Sequence, residues 1–148
     1  MYLLDTNHCS RITNGDIQVV QQLQAHMGTK VATSVIVRGE LMYMAEKSQR
    51  RIDNLNKIQE FLEIIDLYPI DEKTADLYGQ MKAAIFAQFA PKEKAKQRGV
   101  KISDLGFGDN DLWIAATALQ YDLTIVSADS DFDRMQLVRA FPLENWCN

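Results

Sequence analysis

A chain of 148 residues, 47 % hydrophobic and 24 % charged, has the size and composition of one soluble globular domain that buries a core without staples. No apolar run approaches the ~20 residues of a membrane helix, and the N-terminus reaches Asp5 with no basic n-region, so neither a span nor a signal peptide is expected. Two cysteines, Cys9 and Cys147, without metal-type spacing argue against a disulfide framework and fit a reducing, cytoplasmic compartment.

The first element in chain order is a short apolar strand, Tyr2–Leu4, ending at Asp5. Thr6, Asn7 and Ser10 then offer turn and capping chemistry. Asn14-Gly15-Asp16 caps a helix running through Met27, with Ile17, Val20, Leu23 and Met27 at helical spacing and Gly28 as the stop. Lys30–Thr33 reads as a second strand, and Ser34 caps a helix from Val35 to about Lys47 that carries Arg38 and Glu40. Ile52, Leu55, Ile58, Leu62 and Ile65 mark an amphipathic helix. Leu67–Ile70 reads as a third strand, with Pro69 placing it at a sheet edge. Asp71 caps a helix to about Phe89 with Ala75, Tyr78, Met81 and Ile85 on its apolar face, and Pro91 ends the pattern.

From there to Gly108 the chain is basic and reads as a loop or a helical extension. Asp109 or Asn110 caps a helix of Leu112, Ile114, Ala115, Ala118 and Leu119, with Asp109 serving as cap in preference to metal ligand. Leu123–Ser127 is a β-branched, apolar strand, and Val138–Phe141 reads as the last one. Strands alternating with helices imply a parallel sheet with helices on both faces, hence one three-layer α/β domain over 1–148.

The net charge of −4 argues mildly against non-specific nucleic-acid binding. Its distribution matters more. Lys92, Lys94, Lys96, Arg98 and Lys101 stand against Glu93 alone, a local surplus suited to an RNA backbone. Lys47, Arg50 and Arg51 form a weaker cluster.

In an open parallel sheet, ligands sit beyond the carboxyl ends of the strands where strand order reverses. Asp5 follows the first strand, and Asp129 lies just past the strand after the last long helix. Asp111 is in the first turn of a helix that starts on the same side in a right-handed crossover. Glu40 is in the second turn of its helix, and helical side chains lean toward the N-terminus. Each acid alone has an ordinary explanation as a cap, a turn residue or a solvated surface group. Together on one rim they repel by several kcal/mol in a partly buried site, which a divalent cation relieves. Oxygen-only ligands select Mg²⁺ or Mn²⁺ over zinc.

Leu3-Leu4-Asp5-Thr6-Asn7, Arg38-Gly39-Glu40-Leu41, the run from Asn110 to Ala118, and Ser127-Ala128-Asp129-Ser130-Asp131-Phe132 resemble the four motifs of PIN-domain nucleases. Order and spacing are similar in particular to the VapC toxins of bacterial toxin–antitoxin pairs, across essentially the whole chain. The resemblance implies a Rossmann-like PIN fold and Mg²⁺- or Mn²⁺-dependent endoribonuclease activity, on tRNA or another structured RNA. It further implies homodimers and neutralisation by a small VapB-like antitoxin in a larger hetero-oligomer. Carried over, Asp5, Glu40 and Asp111 are metal-binding acids; Asp129 is the fourth, with Asp131 and Asp109 in reserve. Asn7 and Ser127 are supporting residues. His8 and His26 are read as bystanders, and Trp113 and Phe107 as core before base-stacking.

Two other phosphate chemistries fit poorly. An aspartyl-phosphate phosphatase wants a second Asp two residues after the first, where Asn7 stands; a receiver domain wants a Lys after a late strand, where Asp129 and Asp131 stand. The closer rival is a non-catalytic PIN-fold module that binds RNA or protein.

Overall fold

The computed structural model describes Met1–Cys147; Asn148, the last residue of the expected domain span, lies outside the described residues. Five strands form one parallel sheet: β1 (Tyr2–Leu4), β2 (Val31–Ser34), β3 (Asp66–Tyr68), β4 (Thr124–Val126) and β5 (Leu143–Glu144), in the order β3-β2-β1-β4-β5. Register pairs Leu3 with Ala32 on one side and with Ile125 on the other. Neighbouring residues in a strand point to opposite faces. Leu3 and Leu4 are both fully buried, as are Ile125 and Val126, so helices cover both faces and leave the strands apolar throughout.

The chain leaves the central β1 toward β2 and β3, then returns past it to β4 and β5. Strand order therefore reverses between β1 and β4, which opens a crevice beyond their carboxyl ends. Asp5 stands at that point, its backbone N–H donating to Val126 O at 3.1 Å.

The helices are α1 (Thr6–Thr13), α2 (Ile17–Ala25), α3 (Val35–Glu46), α4 (Arg51–Ile64), α5 (Glu72–Phe89), α6 (Lys94–Gln97), α7 (Asp109–Tyr121) and α8 (Ser130–Met135). Asp16, Ser34 and Asp71 cap α2, α3 and α5 as expected, each accepting from backbone N–H groups of the first turn. Edge strand β3 stops at Tyr68, one residue before Pro69. Pro has no N–H for a ladder, so the strand is shorter than Leu67–Ile70 suggests.

Several elements depart from expectation. The segment after Asp5 is helix rather than turn: Asp5 Oδ1 accepts the His8 N–H at 2.8 Å and starts α1. Its Thr, Asn and Ser residues favour caps over helix interiors, which hid it in the sequence. Helix α8, capped by Asp129, is too short to show a period. Val138–Phe141 is not a strand, because the Leu137 and Val138 N–H groups donate to Arg134 and Met135 carbonyls in a tight turn; the last strand begins at Leu143. Helix α7 starts at Asp109 with Gly108 as the cap position, so neither Asp109 nor Asn110 is the cap. The buried face of α2 is Val19 and Leu23, with Ile17 and Met27 exposed; on α5 it is Thr74, Leu77, Met81 and Ile85, with Ala75 exposed. The basic stretch is α6 followed by a 3-10 turn at Ile102–Leu105.

Candidate metal centre

Four motifs converge on a cavity of about 470 Å³ lined by Asp5, Thr6, Asn7, Ser10, Glu40, Met44, Asp111 and Asp129. Asp5 is buried, and both its carboxylate oxygens are held. Oδ1 accepts the His8 N–H and lies 3.0 Å from His8 Nδ1. Oδ2 accepts a hydrogen bond from Ser127 Oγ, while Ser127 Oγ itself accepts the Asp129 N–H at 3.0 Å. Ser127, expected as a supporting residue, thus ties the end of β4 to the end of β1. Asn7 lines the cavity, but its Oδ1 accepts from Arg11 Nε at 3.1 Å rather than bonding to Asp5.

Glu40 is fixed the same way. Thr6 Oγ1 donates to Oε2, and Asn110 Nδ2 donates to Oε1 at 2.8 Å. These bonds join the start of α1 and the start of α7 to the second turn of α3.

Asp111 has the opposite surroundings. Among the described residues no hydrogen-bond donor reaches its carboxylate. Burial, then the charges of Asp129, Asp131, Glu40 and Asp5, push its pKa up to about 7 from the ordinary 3.8. An oxygen of each of Asp111, Asp129 and Asp131 lies within 4.8 Å of the others. Asp129 also lines the cavity; Asp131 lies 3.5 Å from Arg134 Nη1, which offsets part of its charge. Gly108 approaches closely, and a Cβ there would stand 3.0 Å from Asp111 Oδ2. Oxygen donors alone, crowded until one acid resists ionisation, suit a hard divalent cation.

Asp109 belongs elsewhere. It accepts from Tyr78 OH at 2.6 Å and from Lys82 Nζ at 3.4 Å, away from the cavity-lining residues. Lys92, Lys94, Lys96, Arg98 and Lys101 are all exposed, on or beside α6. Phe107 is buried beneath the Arg134 guanidinium, 4.0 Å from the ring centre, and Trp113 stacks on Tyr78 at 3.8 Å. His26 closes α2 with Nδ1 2.7 Å from Gln22 O.

Sequence reasoning missed four residues that hold the site: Thr6, His8, Asn110 and Arg134. Arg134 donates to the carbonyls of Leu105 and Gly106 and so fixes the loop leading into α7. His8 was legible in principle, since one helical turn after Asp5 brings the two together; without α1 the spacing carried no meaning.

The PIN domain family model matches residues 2–137. The chain is 28 % identical to ribonuclease VapC2 of Rickettsia felis over 99 % of this chain and 98 % of that one. It is 31 % identical to ribonuclease VapC2 of Haemophilus influenzae over 98 % and 97 %. A solved complex, VapBC2 from Rickettsia felis bound to a promoter DNA fragment, aligns with a TM-score of 0.76 at 27 % identity, covering 98 % of each chain. DNA-bound VapBC from Salmonella typhimurium shares the fold with a TM-score of 0.80 at 24 % identity, over 99 % of this chain and 98 % of that one. With its carboxylates gathered at the strand-order reversal and full-length likeness to these proteins, the chain belongs to the PIN domain family, among the VapC ribonucleases.

Proposed function

We propose that this chain is a Mg²⁺- or Mn²⁺-dependent endoribonuclease whose metal is held by Asp5, Glu40, Asp111 and Asp129, and that it is the toxin of a toxin–antitoxin pair. The observation that carries this reading is the convergence of Asp5, Glu40, Asp111 and Asp129 on one cavity, where burial and the neighbouring acids push the pKa of Asp111 up to about 7. Bound there, a divalent cation supplies Lewis-acid activation of water and of the phosphodiester. The chain's own residues do the rest. Ser127 and His8 hold Asp5 in one orientation, Thr6 and Asn110 hold Glu40, and Asp111 supplies charge when the cation offsets its neighbours.

The substrate we assign is structured RNA, tRNA foremost. A 31 %-identical relative from Shigella flexneri is a tRNA(fMet)-specific endonuclease. The lysines and arginine of 92–101 track the RNA backbone. The protein acts in the cytoplasm as a homodimer and is silenced by a VapB-like antitoxin in a larger hetero-oligomer. An Arg of that antitoxin pairs with the cavity carboxylates, because its planar fork matches two at once. An adjoining groove of about 200 Å³ shares Ser10 and Met44 with the cavity; its apolar floor of Leu41, Ala45 and Ile58, rimmed by polar residues such as Asn14, Asn54 and Lys57, takes apolar side chains beside that Arg.

The purified chain should cleave tRNA, stop on adding EDTA and resume with Mn²⁺. Expressed alone it should arrest growth, and co-expression of the adjacent small open reading frame should restore it. RNA binding without cleavage under every metal condition would establish the non-catalytic module instead.

A further inference from the structure

We propose that His8 is a positioning residue for the metal centre, orienting Asp5 by linking it to the segment that follows β5. This rests on the metal reading of Asp5. The His8 ring is fully buried and is not part of the cavity wall, so no substrate touches it. Its two nitrogens face different partners. The Trp146 backbone N–H donates to Nε2 at 3.3 Å, and the Cys147 thiol stands 3.3 Å from the same atom. A backbone N–H can only donate, so Nε2 carries a lone pair and the ring proton is on Nδ1. Nδ1–H therefore donates to Asp5 Oδ1 across 3.0 Å.

The consequence is a fixed carboxylate. A carboxylate offers about four lone-pair sites. His8 fills both on Oδ1, with its backbone N–H and its ring, and Ser127 fills one on Oδ2. One direction on Oδ2 is left for a cation. Without the ring donor, Oδ1 regains a lone pair and the carboxylate gains freedom to turn.

The far side of the ring is equally constrained. The Trp146 indole is buried, stacks on His26 at 4.7 Å, meets the edge of Tyr2 at 5.3 Å, and donates from Nε1 to Glu144 Oε2 at 3.1 Å. Ser127 N–H donates to Glu144 O at 2.9 Å. The backbone after β5 thus holds the tautomer that Asp5 requires, an outer support of the kind that orients metal ligands elsewhere.

Three variants of the full chain separate this role from simple packing. His8→Asn keeps a donor near the Nδ1 position, His8→Gln places its amide near Nε2 and reaches past Asp5, and His8→Leu removes both contacts. Mn²⁺ affinity is read by titration calorimetry, with kcat and KM for RNA cleavage beside it. Loss of an outer-shell partner typically costs about 10- to 100-fold in metal affinity. His8→Leu and His8→Gln should lose that much and lower kcat, with KM for RNA little changed; His8→Asn should recover most of the Mn²⁺ affinity. If His8→Leu does not fold, the Asn and Gln pair decides. Equal Mn²⁺ affinity in wild type, Asn and Gln variants, or equal loss in both, overturns the proposal. Wild-type protein that binds no Mn²⁺ overturns the metal reading and this role with it, whereas wild-type binding with unaltered His8 variants overturns this role alone.

Discussion

Asp71 and Asp111 are the same residue type at the start of two packed helices, yet their surroundings are opposite. Asp71 caps α5. It accepts the Thr74 N–H at 3.0 Å and both carboxylate oxygens accept from Gln120 Nε2, at 2.9 and 2.7 Å. The Thr74 N–H above all, then Gln120, hold its carboxyl below the ordinary range. Asp111, two residues into α7, has no such donor and four acids near it, and it rises to about 7. Both sit where a helix dipole favours negative charge. The dipole therefore decides neither case; donors and neighbouring charges do. Donors stabilise the charge of Asp71, whereas burial and neighbouring like charges disfavour that of Asp111.

The largest effect that sharpens this contrast is on catalysis. Asp111→Asn should lower RNA cleavage by about a thousandfold, as loss of several kcal/mol of metal-derived stabilisation implies. Full cleavage by this variant removes Asp111 from the metal set. In metal-free buffer the same variant should be more stable than wild type at pH 8. A rise from 3.8 to about 7 is worth ~4 kcal/mol at full strength, reduced by solvent screening to on the order of 2 kcal/mol for this partly exposed group. The sign fixes a pH window. Below about pH 4 Asp111 is neutral folded or unfolded and costs nothing; the cost grows as pH rises and is complete above about pH 7. Denaturant melts from pH 4 to 8 should show that decline in wild type and its absence in Asp111→Asn.

Asp71→Ala should behave in reverse. Its lowered pKa contributes stability above the unfolded value near 3.9, lost as pH falls through the folded one. The variant should melt a few degrees lower at pH 7 and keep its cleavage rate. A loss of cleavage comparable to Asp111→Asn would break the distinction between the two acids. The smallest effect concerns the basic stretch. Replacing Lys92, Lys94 and Lys96 by Gln should flatten the salt dependence of RNA binding by about 2, at about −0.7 per phosphate neutralised on a single strand. An unchanged slope in a folded variant assigns α6 to the solvated surface.

Much of this protein is written locally. Asp16, Ser34 and Asp71 announce their helices because a cap and the N–H groups it satisfies lie within three residues. Alternating strands and helices dictate a parallel sheet, since parallel neighbours require a crossover. Motif acids at strand ends and first turns could be assigned to one rim from connectivity alone, and Asp5, Glu40, Asp111 and Asp129 do line one cavity. Where local preference was weak, the reading failed: α1 begins with Thr and Asn, α8 is six residues long, and Val138–Phe141 is apolar without being a strand.

Only tertiary structure decided who supports whom. Thr6 and Asn110 meet on Glu40, Ser127 reaches Asp5, Trp146 reaches His8, and Arg134 fastens the loop before α7, all across long stretches of chain. No periodicity encodes such pairs, because they depend on β1 lying between β2 and β4. Position along the chain was enough to put Asp5, Glu40, Asp111 and Asp129 on one rim. The fold alone determined that Asp5 and Glu40 are pinned by donors while Asp111 is not, because a carboxylate's character is set by the groups that packing brings within hydrogen-bond reach.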